Sequence, residues 1–251
     1  MSDTVTINGK RHYVIEGQEK PIYLPSVTTI LGAMTDKSGL ERWRKRIGEA
    51  EADRISKLSA NRGTLMHLFI ENFIVSKQST PKERLLESLK ITTEWAKENK
   101  FTSEELTIGR KLFFNFYTYG SFDVVEDVIM HEARLWSLQG GGYAGRVDDI
   151  YRDKNGLAVV ADYKTSRKPK KEEWIENYKM QISAYFVAYW ERTGEKPNRA
   201  EIWISNEQDD TPQIFTLNEK DIKEYYAKFI TLVKAYHEKF SDEITSYESD
   251  I

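Results

Sequence analysis

The spacing of apolar residues changes along this chain, and each change marks an element. Residues 4 to 24 carry short β-branched and aromatic runs around Asn8-Gly9, a pair that favours a tight turn, so a small hairpin is predicted. Pro25 and Ser26 then open SVTTILGAM, which reads as a helix capped by Ser26. From Leu40 to Ser76, Trp43, Ile47, Ile55, Leu58, Leu65, Leu68, Phe69 and Phe73 recur at mostly three- and four-residue steps, the period of a helix. Pro81 begins another helical stretch that continues, with breaks, to about Tyr119. The period then shortens. Residues 123 to 138, 143 to 151 and 157 to 164 read as strands, with a turn at 153 to 156. A helix from about Glu172 to Arg192, two short strands near 200 to 205 and 212 to 216, and a last helix from about Glu219 to Phe240 complete the pattern. The order predicts one α/β domain over residues 1–251 with a mostly antiparallel sheet. Residues 1–120 form a mainly helical portion after the hairpin, 121–240 hold the sheet and its helices, and 241–251 form an acidic tail.

Composition narrows the chemistry. The chain contains no cysteine, which removes disulfides, thiolate zinc sites, iron–sulfur clusters and thiol nucleophiles, so a metal would have to sit on oxygen and imidazole. No phosphate-cradling GxxxxGK[ST] loop is present, so no nucleotide cofactor is expected. No run of eighteen apolar residues exists and the first residues lack a secretory plan, which favours a cytoplasmic protein away from membranes. The net charge of -3 is concentrated at the end: residues 241 to 251 carry four acids and no base, leaving the rest at +1. Bulk charge therefore neither supports nor opposes a nucleic-acid partner.

The informative segment is GGGYAGRVDDIYRDKNGLAVVADYKTS, residues 140 to 166. A three-residue loop of Lys154, Asn155 and Gly156 pairs Asp153 with Leu157, and counting back along both strands sets Asp148 opposite Asp162. Directly opposite residues share a face, and Lys164 joins it two positions on. A loop of even length would align Asp149 with Asp162 instead. A surface salt-bridge pair is the plain alternative. Against it, Asp162 follows an unbroken apolar run, the mark of a buried central strand, where a carboxylate needs a cation.

Gly145-Arg146-Val147-Asp148, a hairpin, Asp162-Tyr163-Lys164-Thr165, then Gln181 and Tyr185 resemble the GxxD, DxK and QxxxY succession of the RecB-like branch of the PD-(D/E)XK nuclease superfamily. Arg62-Gly63-Thr64-Leu65-Met66-His67 resembles the GTxxH motif of that branch, and with PSVTTIL at 25 to 31 the pattern is similar to phage-type and mitochondrial genome-maintenance exonucleases. The likeness spans about residues 22 to 190. It implies an α/β fold with a mixed central β-sheet flanked by helices, the restriction-endonuclease-like core, with a helical N-terminal portion. It also implies that Asp148, Asp162, the carbonyl of Tyr163 and His67 hold a catalytic Mg²⁺ or Mn²⁺. Lys164 would position the attacking water and stabilise its hydroxide, and Gln181 and Tyr185 would border the site from a helix. Glu132, in HEARLWS, is a secondary ligand candidate or else a partner of Arg134 or Arg146. His12, His131 and His237 lie in no motif and read as structural or exposed.

The same resemblance makes DNA the partner. Arg167, Lys168, Lys170 and Lys171 follow the catalytic strand directly, and with Arg62, Arg146 and Thr165 they would contact the strand being cut. The Arg42-Trp43-Arg44-Lys45-Arg46 stretch is a weaker basic cluster, since charge runs are commonly solvated faces. Nothing suggests sequence-specific readout. The resemblance favours an exonuclease working from DNA ends, single strands above all, in replication, recombination or repair, phage- or bacterium-encoded, with room for a replication or recombination protein as partner. A structure- or site-specific endonuclease with the same active site, and an inactive nucleic-acid-binding or interaction module, are the competing readings.

Overall fold

The computed structural model describes residues 3–17, 20–125 and 127–249. At the N-terminus β1 (Thr4–Ile7), β2 (Lys10–Ile15) and β3 (Ile22–Pro25) form an antiparallel sheet in that order. Asn8 and Gly9 both take left-handed backbone angles (φ 47° and 74°), the two-residue turn whose twist matches its flanking strands. Ser26 then caps α1 (Val27–Met34), accepting the N–H of Thr29 at 2.9 Å.

The long helical stretch is two helices, α2 (Ser38–Ile47) and α3 (Glu49–Val75), divided at Gly48, whose φ of 86° is open to glycine and strained for other residues. Next come α4 (Pro81–Glu98) and α5 (Ser103–Tyr119). Each opens on a reciprocal capping box, Thr80 with Glu83 and Thr102 with Glu105, worth about 1 kcal/mol apiece.

The main sheet runs β4 (Asp127–Ser137), β5 (Tyr143–Arg152), β6 (Ala158–Ser166), β7 (Arg199–Asn206) and β8 (Gln213–Leu217), in that order. It is mixed. Its neighbours are antiparallel except β6 and β7, which run parallel because α6 (Glu176–Thr193) crosses over the sheet between them. Two expected starts shift: 121–124 form a 3₁₀ turn ahead of β4, and 172–174 form another ahead of α6. The last helix, expected to end near Phe240, runs further, because α7 (Glu219–Ser249) continues through 241–249, with residues 250 and 251 outside the described residues. Contacts to the N-terminal sheet accompany that extension: Lys10 meets Glu243 at 2.6 Å and Tyr23 meets the edge of Tyr247.

Both faces of the main sheet are covered. On one, Val147, Val160, Ile202 and Ile204 pack with Phe186, Tyr189, Phe229 and Val233 of α6 and α7. On the other, Val159, Ala161, Tyr163 and Trp203 meet Leu65, Phe69, Phe113 and Phe116 of α3 and α5. The continuous apolar run before Asp162 follows from this, since alternate residues of β6 feed opposite cores. Each large buried side chain contributes about 1.5–3 kcal/mol. Among the described residues no helix is long and apolar enough to cross a membrane.

Candidate active site

The hairpin loop fixes the register of everything behind it. Asp153 donates its N–H to Leu157 at 3.0 Å, Gly156 takes φ 74°, and the ladder proceeds from Arg152↔Ala158 to Asp149↔Ala161. Asp148 thus falls opposite Asp162, and the alternative of Asp149 facing Asp162 is excluded. At that step the sheet forks. β5 stays paired with β4 as far as Ser137↔Tyr143, β6 stays paired with β7 as far as Ser166↔Asn206, and β5 and β6 pair no further. Hydrogen-bonded pairs recur every second residue in an antiparallel ladder, so Tyr163 N–H would next meet the carbonyl of Val147. It donates instead to the Asp148 carboxylate at 2.6 Å. One catalytic candidate thereby occupies the place of a ladder bond.

Asp162 is 1% exposed, and Lys164 lies in ion contact with its Oδ2, an oxygen that has no partner in hydrogen-bonding geometry. Burial pushes both Asp148 and Asp162 up to about 6, against the attraction of Lys164. Burial also works against the Lys164 ammonium, yet Asp162 and Asp148 hold it above its ordinary value. From α3, His67 approaches with Nδ1 3.8 Å from Asp148 Oδ1, and its ring stands edge-on to Tyr163 with centroids 6.4 Å apart. Burial, then Lys164, lowers His67 to about 4, so its imidazole is neutral, the form that binds metal.

Glu132 sits between the pairs His131↔Asp149 and Ala133↔Val147, hence opposite Asp148. Its backbone is left-handed, φ 47°, which costs a non-glycine residue about 1–2 kcal/mol. Burial, then Asp148, pushes its carboxyl up to about 7. One ligand atom each from His67, Glu132 and Asp148 lies within 4.8 Å of the others. Imidazole and carboxylate donors around incompletely offset negative charge fit a hard divalent cation. Asp162 is not among the three donors that converge, being turned to Lys164. Glu132 also lies 3.9 Å from Arg146, while Arg134 reaches the carbonyl of Val14.

From α6, Gln181 donates to the Tyr185 hydroxyl at 3.3 Å, and the Tyr185 ring lies over Gly145, where a Cβ would stand 2.6 Å from it. The glycine of the GxxD segment is therefore a contact requirement. A cleft of about 570 Å³ exposes His67, Glu132 and Asp148 between α3, α6 and the N-terminal sheet, while Asp162 and Lys164 do not line it.

The expected DNA contacts divide. Arg62 is buried and ion-paired with Glu207, and Thr165 lies close against Gly63 of α3. Arg146, Arg167, Lys168 and Lys171 are exposed, and Lys170 is half-buried with its backbone bound both ways to Gln213. In α2, Arg44 is engaged by Glu49 and Asp53.

Three features went unforeseen. Tyr178, one helical turn before Gln181, places its ring 5.4 Å from Lys164; its i, i+3 spacing was the available signal. His131 bonds the buried Asp149 at 2.7 Å behind the site. The N-terminal sheet forms a wall of the cleft through Thr4, Arg11 and Tyr13, with Thr28 of α1, for which no local pattern gives a signal.

Comparison with known proteins gives this arrangement a family. Among solved structures, the chain resembles a protein from Eubacterium rectale provisionally named an exonuclease, at 12% identity and TM-score 0.50, covering 74% of this chain and 68% of that one. It also aligns with SSO0001 at 20% identity and TM-score 0.33, covering 67% and 84%. A comparison with curated proteins found no significant match. The family model described as the PD-(D/E)XK nuclease superfamily matches residues 38–249, which include the forked strands, His67 and the α6 pair. Over most of its length, then, this chain is a member of the PD-(D/E)XK nuclease superfamily.

Proposed function

We propose that this nuclease is a Mg²⁺- or Mn²⁺-dependent deoxyribonuclease that hydrolyses phosphodiester bonds from DNA ends, with single strands preferred. The observation that carries this reading is the fork: a buried Asp162, a half-buried Asp148 and a lysine on adjacent strands, beside a His67, Glu132 and Asp148 cluster that leaves negative charge under-compensated. His67, Glu132 and Asp148 would hold the ion, with Asp162 and the Tyr163 carbonyl adjacent, and a bound ion supplies Lewis acidity and a more acidic water.

The protein's own groups do the rest. Lys164 stays protonated between the two acids, available to stabilise hydroxide and the charge gathering on the phosphate. Asp162 holds that ammonium in place, and Gln181 and Tyr185 fix the α6 wall against Gly145. Arg146, Arg167, Lys168 and Lys171 are exposed cations suited to the strand being cut, whereas Arg62, joined to Glu207, suits a tie between α3 and the end of β7. The end requirement is supported by the motif likeness and by the name of the Eubacterium rectale neighbour. A cytoplasmic role in replication, recombination or repair, in a phage or a bacterium, follows from the same likeness.

The test is digestion of matched linear and covalently closed circular single-stranded DNA, and of duplex DNA, in Mg²⁺, Mn²⁺ or EDTA. Linear strands are expected to be degraded in either metal, with circles intact and no cutting in EDTA. Cut circles would make the protein an endonuclease, and binding without cutting would make it an interaction module.

A further inference from the structure

The family match begins at residue 38, so the three-stranded N-terminal sheet and α1 lie outside it, yet both wall the acidic cleft. The backbone carbonyl of Arg11 accepts the N–H of Ser26 at 3.1 Å and the hydroxyl of Thr29 at 3.2 Å, which ties β2 to the start of α1. A bridge from Ser26 to Ala144 joins the same point to β5. The Arg11 side chain is exposed, donates to the Thr28 hydroxyl at 3.2 Å, and has its guanidinium carbon 5.7 Å from the ring centre of Tyr13. Tyr13 is buried and lines the same cleft as Tyr185 and Asp148, so this wall abuts the catalytic candidates.

Glu71, Glu132 and Asp148 line the same cleft, and still Arg11 forms no ion pair among the described residues. An arginine held by a hydroxyl and an aromatic face, with its charge uncommitted beside a site for phosphodiester chemistry, matches the planar, bidentate recognition of phosphate. We propose that Arg11, oriented by Thr28 and Tyr13, binds a backbone phosphate of the nucleic-acid strand entering the cleft, so that the N-terminal sheet is a substrate-binding wall. This rests on the nuclease reading above.

The experiment measures affinity for fluorescein-labelled oligothymidylate by anisotropy in EDTA across a KCl series, together with KM and kcat on the same strand in Mg²⁺. R11Q is expected to weaken binding about fivefold, to raise KM by a similar factor with a smaller effect on kcat, and to reduce the slope of log Kd against log salt by about 0.7. R11K should recover part of the affinity, and T28V should show a smaller loss. K82Q, on an exposed position of α4, which does not line the cleft, serves as the charge control and should match wild type. Unaltered Kd and salt slope in R11Q, while wild type binds and cuts, would overturn this inference and leave the nuclease reading standing. A wild-type chain that neither binds nor cuts would overturn both.

Discussion

The β5–β6 hairpin carries buried acids at both ends, and the two ends treat them in opposite ways. Near the turn, Asp153 accepts the N–H groups of Asn155 and Leu157 at 2.9 and 3.1 Å and meets Arg199 at 2.5 Å, and the Arg199 contact holds its carboxyl below the ordinary range. Glu201 beside it accepts from Arg199, the Tyr151 hydroxyl and Trp203 Nε1. At the fork, Asp148, Asp162 and Glu132 share the Lys164 ammonium, a neutral imidazole and the exposed Arg146, which is 3.9 Å from Glu132, and burial lifts all three. Donors satisfy charge at the structural end. The other end retains negative charge that Lys164 and Arg146 offset only in part, as expected of a place built to receive a cation.

The comparison breaks most sharply under substitution. D162N or K164A is expected to lower metal-dependent cleavage by about 10²–10³-fold or more with the fold retained, as read by single-turnover digestion and circular dichroism. D153N should do the reverse: cleavage well below the melting point stays close to wild type, while stability falls by about 2 kcal/mol in urea titration. Full cleavage by D162N would remove the distinction between the two ends.

Proton and metal linkage sharpens it next. At the fork the folded pKa values, about 6 for the two aspartates and about 7 for Glu132, exceed those of the unfolded chain, near 4. Between those limits the folded state binds more protons, so these groups cost stability progressively as pH rises from about 4 to 7. Asp153, with a lowered value, contributes in the opposite sense: its stabilisation is present above its unfolded pKa and is lost as pH falls through the folded one. A divalent ion competes with protons for the fork alone. Mg²⁺ or Mn²⁺ should therefore raise the Tm more at pH 8 than at pH 5, by scanning calorimetry against EDTA, and D148N should abolish most of that difference. A metal shift independent of pH would separate the ion from these acids.

Local signals made much of this molecule readable. Asp153 to Leu157 specify a three-residue loop, and loop length sets register, which is why the facing of Asp148 and Asp162 followed from counting. Ser26 marks a helix start because its side-chain oxygen satisfies a free N–H. What the chain concealed depends on distant partners. Arg62 turns inward to Glu207, 145 positions away, so its basic character did not reveal its burial. The left-handed Glu132 lies inside a strand with no glycine to announce it. The acidic end stays helical next to Lys10 and Tyr23 of the N-terminal sheet, contacts that no window of sequence contains.

The smallest expected effect probes how closely the fork is built. Tyr185 rests on Gly145, and a methyl group there would meet the ring at 2.6 Å, too close for contact without movement of α6 or β5. Overpacking of this kind costs about 1–3 kcal/mol. Because the displaced ring carries the hydroxyl that Gln181 contacts beside the cleft, G145A should lower kcat several-fold as well as Tm. Truncating the opposing ring should relieve the clash, so G145A combined with Y185L is expected to recover more stability than the two single changes predict when added. The double-mutant cycle, read by urea denaturation, checks this, and strict additivity would show that the glycine answers to some demand other than the tyrosine above it.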